Sequence, residues 1–176
     1  MISPIIEKKL PEGLNIIVGA LAIAPLARII AVLVDPAVNA TLVKIGGTIS
    51  AAADQSPIVM GFLLGGIMKM ICTSPLSSMA LTAMLGLNGL AMGIAAIACV
   101  GGSFTNGIIF KRLKLGDKSN VIAVMLEPLT QANIITANPI PIYCSNFFGG
   151  GLAGISAAAF GIINNAPGTA SPIPGL

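Results

Sequence analysis

GDKSNVIAVMLEPLTQANIITANPIP, residues Gly116–Pro141, starts in a charged loop, turns apolar over Val121–Leu126, and then becomes polar between apolar flanks. Glu127, Gln131, Asn133 and Asn138 fall close together here, interrupted by Pro128, Pro139 and Pro141. A proline lacks the backbone donor and ends or kinks a helix. The residue before it is driven toward extended geometry. Glu127-Pro128 and Asn138-Pro139 are therefore expected to be helix ends. In a membrane, irregular backbone persists only where protein buries it or where it lines a wet cavity. The stretch is expected to wall such a cavity, with its carboxylate and amides as candidate solute contacts.

The rest of the chain supports a membrane setting. Of its 176 residues 55% are hydrophobic and 9% charged, against about 45–50% apolar and about 25% charged in soluble domains. Mean hydropathy is +0.96, and the 21 glycines suit close helix packing in lipid. A net charge of +3, with scattered basic residues, points to no nucleic-acid partner. The chain has no histidine, which excludes an imidazole base, a histidine metal ligand and a phosphohistidine. Cys72, Cys99 and Cys144 lie far apart without a C-x-x-C pair, so no metal site is expected, nor a disulfide framework. They read as small buried hydrophobes. No cofactor is expected.

Outward from the central stretch, Leu14–Val34 is close to the roughly 20 residues that span hydrocarbon. Its apolar run outlasts a signal peptide, Pro25 is expected to kink it, and Arg28 to snorkel. Ala37–Ala53 carries Asn39, Lys44, Gly46 and Gly47 and reads as a separate tilted or interfacial piece. Pro57 suits the start of a helix that stops at Thr73-Ser74-Pro75, with Lys69 snorkelling near its end. Leu76–Ile109 as one helix would be roughly 50 Å long, beyond a bilayer core. Breaks are expected at Gly86-Leu87-Asn88-Gly89 and at Gly101-Gly102-Ser103, with Asn88 and Asn106 as turn residues. Four basic residues within Lys111–Lys118 mark a cytoplasmic loop, and Lys8 and Lys9 suggest the same side for the N-terminus. Ile140–Ile163 is again apolar. Gly61/Gly65, Gly89/Gly93 and Gly150/Gly154 stand four apart and read as packing faces. The tail Asn164–Leu176 is rich in proline and glycine. The expected fold is all-α: a polytopic transmembrane bundle with broken helices and a re-entrant hairpin, in a single membrane domain over residues 1–176.

Four stretches carry a family resemblance: PIVMGFLLGGIMKMICTSPLSS (Pro57–Ser78), GLNGLAMGIAAIACVGGSF (Gly86–Phe104), LTQANIITANPIPIY (Leu129–Tyr143) and the tail. Over residues 55–176 the chain resembles the membrane-embedded enzyme IIC component of the bacterial phosphotransferase system, in the group that includes perfringolysin-regulator-like membrane proteins. The Gln131–Asn133–Asn138–Pro139 pattern is its most specific part. Members are commonly longer, so the resemblance marks this chain as a C-terminal portion of a permease domain. Where they have a Gly-Thr-Ser stretch, Glu127-Pro128-Leu129-Thr130 stands here.

The resemblance implies a multi-pass sugar permease in a bacterial plasma membrane, a homo-oligomer in the lipid bilayer. It would act with separate soluble phosphocarrier subunits at the cytoplasmic face around Lys111–Lys118. Neutral sugar hydroxyls are matched by directional donors and acceptors, which Gln131, Asn133 and Asn138 supply. Glu127 is the candidate catalytic group, accepting from hydroxyls or taking a proton from the attacking one. Thr73, Ser77 and Ser78 flank a helix break and are expected on the same cavity or as caps. Two other classes compete: a non-transporting membrane regulator of the same fold, and an ion-coupled permease for another small polar solute.

Overall fold

A computed structural model describes residues 14–74 and 76–171, with side chains from Ala24 onward. The Glu7–Lys9 charges, Pro75 and the last five tail residues lie outside the described residues. Every regular element among the described residues is helical. The chain divides into two units, Met1–Thr41 and Leu42–Leu176.

Helix α1 runs over Leu14–Gln55 and contains both Pro25 and Pro36. Its part in the first unit is exposed from Ala24 onward. The expected separate piece over Ala37–Ala53 is instead a continuation of this helix. Asn39, Lys44, Gly46 and Gly47 lower its hydropathy, but none of them removes a backbone donor. Within the second unit, Leu42, Ile49 and Ala53 pack against the main core.

In the second unit, α2 (Pro57–Thr73) begins on a proline at its first turn, as expected. It is followed by the short α3 (Ser78–Met84), the long α4 (Gly89–Leu113) and α5 (Lys118–Leu126). A 3-10 turn (Pro128–Gln131), α6 (Ala132–Ala137) and α7 (Pro139–Ala159) complete the elements. The break between α3 and α4 falls at the expected Gly86–Gly89 turn, where both glycines have φ of +61°. The second expected break, at Gly101-Gly102-Ser103, does not occur. Those glycines lie mid-helix, where a Cβ on Gly101 would come within 2.6 Å of the Ala153 methyl. They serve close approach rather than a turn.

Helices α2, α4 and α7 pack against one another through their small residues. A Cβ at Gly61 would stand 2.7 Å from the Gly154 carbonyl oxygen, and one at Gly65 2.6 Å from that of Gly150. Those descending pairs make α2 and α7 antiparallel. One apolar core gathers Leu64, Met68, Leu87, Met92 and Ile94; a second gathers Phe110, Val124, Ile135 and Ile142. Among the described residues, two stretches are long and apolar enough to cross a membrane, Ala24–Gln55 and Gly89–Leu113.

Candidate functional site

Helix α5 ends at Leu126 because Pro128 cannot continue it. Glu127 is extended (φ −148°, ψ 101°) and caps the 3-10 turn, its Oε1 accepting from the Leu129 amide at 3.3 Å. Its carbonyl accepts from the Thr130 hydroxyl at 2.7 Å. Half-buried, Glu127 borders a cavity of about 70 Å³ whose other walls include Cys72 of α2, Ser77 and Ser78 at the start of α3, and Ser171 of the tail. The tail is tied there by the Ser78 hydroxyl donating to the Ala170 carbonyl at 2.6 Å. Upstream, the Asn164 amide donates to the Gly89 carbonyl at 2.9 Å.

At a liquid volume of about 30 Å³ per water, a space of this size suits a couple of waters. Small-molecule sites run to about 300–1,000 Å³. A larger guest needs the walls to part.

Among the residues singled out from the sequence, Glu127, Ser77 and Ser78 meet at this cavity. Ser77 also caps α3, accepting from the Ala80 amide at 3.1 Å. Gln131 does not join them. It is buried, accepts from Asn120 Nδ2 at 2.7 Å, and so ties the 3-10 turn to the start of α5. Asn133 is exposed, and Asn138 donates to the Ile134 carbonyl at 3.1 Å as it closes α6.

Thr73 lies in a different, fully buried polar layer. Asn106 Nδ2 donates to its hydroxyl at 3.4 Å, and Asn146 Nδ2 donates to Asn106 Oδ1 at 2.6 Å. Asn106, expected in a turn, is mid-helix in α4 and completely inaccessible. Asn146 Oδ1 is buried without a hydrogen-bond partner. The layer beside it holds Lys69, which does not snorkel. Its exposure is 0%, its stem lies against Gly102 and Gly150, and Nζ donates to the Cys99 carbonyl at 3.3 Å. The signal was in the spacing: Lys69/Thr73, Gly102/Asn106 and Asn146/Gly150 are each four residues apart, one helical turn.

The profile of the family described as phosphotransferase system, EIIC, matches residues 1–176. The chain belongs to that family. The match takes in the whole chain, beyond the residues 55–176 on which the resemblance rested. No curated protein and no solved structure matches it significantly.

Membership makes this EIIC chain a permease-type membrane component that works with other components of its phosphotransferase system. Its most polar loop is well built. Helix α4 ends with Lys111 and Arg112 in the last turn, favourably placed against the helix dipole, and Lys114 closes it in the left-handed region (φ 55°). Asp117 then caps α5, accepting from the Ser119 and Asn120 amides at 2.8 and 3.0 Å, while Asn120 Oδ1 accepts from the Asp117 amide. The bond from the Asn120 backbone, and behind it those from Ser119, hold the Asp117 carboxyl below its usual range.

Proposed function

We propose that this EIIC chain binds a sugar at the Glu127 cavity, carries it across the plasma membrane of a bacterium, and presents it for phosphorylation. The donors are separate soluble phosphocarrier subunits docking on the basic loop Lys111–Lys118. The chain has no histidine to carry the phosphoryl group itself.

One observation carries this reading. The Glu127 carboxylate, at a proline-forced break between short helices, borders a cavity whose walls include three serines and a cysteine beside Leu76, Met79 and Leu129. Such a break is costly in hydrocarbon unless it borders a polar guest. In the transfer, the sugar hydroxyl oxygen bonds to phosphorus, the bond from phosphorus to the partner's carrier group breaks, and Glu127 takes the hydroxyl proton. Admitting a sugar requires the Pro128–Asn138 segment to move off the cavity. Gln131 then exchanges Asn120 for a sugar hydroxyl, and Asn133 and Asn138 supply further amides. Ser77 completes the polar lining, while Thr73 stays in the buried layer with Asn106. The protein is multi-pass and polytopic, with the segment between α5 and α7 as its re-entrant hairpin. Its exposed apolar faces, including Phe104, Ile108 and Leu152, are left for lipid or for a further copy in a homo-oligomer.

The test is phosphoenolpyruvate-dependent phosphorylation in vesicles supplied with the soluble partners, across glucose, mannitol and N-acetylglucosamine. Glu127→Gln is expected to lower the rate by about 10²-fold or more, the scale of a lost general base. Undiminished turnover in that variant removes Glu127 from the mechanism. The small cavity favours one rival, a non-transporting regulator, for which no sugar of a broad panel would be phosphorylated.

A further inference from the structure

Lys69 is the one charged side chain wholly inaccessible among the described residues, and the transport reading gives it no work. Its ammonium has three donors and spends one on the Cys99 carbonyl. The four-carbon stem is packed between two glycines of neighbouring helices, so the head cannot swing out to an interface. A cation so placed needs a compensating charge, since removing an ion from water costs several kcal/mol. In the second unit the described carboxylates are Asp54, Asp117 and Glu127. Asp54 and Asp117 are exposed, and Asp117 is committed to its cap.

Glu127 remains, and it is well placed. Cys72 follows Lys69 by three positions, hence on the same face of α2, and Cys72 is a wall of the Glu127 cavity. Lys69 thus stands behind the wall that Glu127 faces. Low dielectric between the two sites preserves attraction over distances that water would screen.

We propose that Lys69 is the counter-charge of Glu127, a positioning residue that holds the carboxylate toward the Cys72 wall and keeps the cavity closed. The inference deepens the sugar-site reading and rests on it for its consequence. A sugar that takes up Glu127 weakens the pairing and releases the broken segment, so occupancy and opening become one event. The central measurement needs no sugar.

Lys69→Met preserves the stem between Gly102 and Gly150 and deletes the charge. Thermal unfolding of the whole chain in lipid nanodiscs is compared for wild type, Lys69→Met, Glu127→Gln and the double variant. Each single variant is expected to lose ~2–4 °C, and the double to lie clearly above the sum of the two losses, because neutralising both charges leaves neither uncompensated. Purely structural packing by Lys69 would give additive losses, and additivity overturns the proposal. Should Lys69→Met fail to accumulate as folded protein, recovery in the Glu127→Gln background supports the pairing, and failure in both backgrounds overturns it. Binding of the sugar panel separates the two readings. Additive unfolding with sugar binding lost in Glu127→Gln removes the pairing and leaves the sugar site. Coupled unfolding with no sugar bound by any variant keeps the pairing and removes the sugar site.

Discussion

The α2–α4–α7 core and the segment from Glu127 to Asn138 are both interruptions of ordinary apolar packing, achieved in opposite ways. In the core, glycines bring backbones into contact and the few polar groups reach across helices, as Asn146 does to Asn106 and Lys69 to the Cys99 carbonyl. In the segment, hydrogen bonds stay local: Glu127 to Leu129, Thr136 to Ala132, Asn138 to Ile134. Its longer tie is Gln131 to Asn120. Long-range bonds must all be broken together for the core to open. Local bonds can travel with a segment that moves. The comparison separates a scaffold from a part free to shift over it.

The largest effect should come from overfilling the scaffold. Gly65→Val places carbon where the Gly150 carbonyl oxygen already stands 2.6 Å away, and backbone cannot rotate aside. Overpacking costs about 1–3 kcal/mol and occasionally more, so loss of folded protein in size-exclusion profiles is expected at the upper end of that range. Normal behaviour of Gly65→Val would break the idea of a backbone-contact core.

A smaller effect is expected at the polar layer. Asn146→Leu strips Asn106 Oδ1 of its donor, and a buried unmatched acceptor costs about 1–3 kcal/mol. Asn106→Leu with Asn146→Leu removes both partners and should recover part of the loss in thermal unfolding. If the double variant is instead worse than both singles, the layer holds more than this pair.

The smallest effect belongs to the rim. The Asp117 cap stabilises fully above the usual carboxylate range and is lost as pH falls through its lowered folded value. Melting temperatures at neutral and at acidic pH should therefore differ less in Asp117→Asn than in wild type. An unchanged difference would assign the acid sensitivity elsewhere.

Helix ends were largely legible from the sequence because proline and glycine act locally. Pro57, Pro128 and Pro139 each mark an element start, and Gly86 and Gly89 mark a turn, through properties of the residue itself. Glycines inside helices were legible in part: Gly61/Gly65 and Gly150/Gly154 read as packing faces and are, but the role of Gly101-Gly102 was not legible. Gly101-Gly102 has the composition of a break, and what makes it a contact is Ala153 and Lys69 on other helices. Lys69 was misread for the same reason: nearness to a helix end suggests snorkelling, while its burial depends on the absence of side chains at Gly102 and Gly150. At the site, Glu127 borders one cavity with Ser77 and Ser78, whereas Thr73, expected beside them or as a cap, lies in the Asn106 layer. The diversion of Gln131 to Asn120 was not legible, since the capping arrangement that presents Asn120 forms in three dimensions.

Bare backbones that touch offer each other no ridges to catch on. The seam between α2 and α7 is bare in this way at Gly61/Gly154 and Gly65/Gly150, and the Phe62 and Phe147 rings seated over Gly151 and Gly66 give it grip. The Lys69 stem, laid crosswise between Gly102 and Gly150, is a peg through that seam. With those rings it sets the register at which the three helices come to rest.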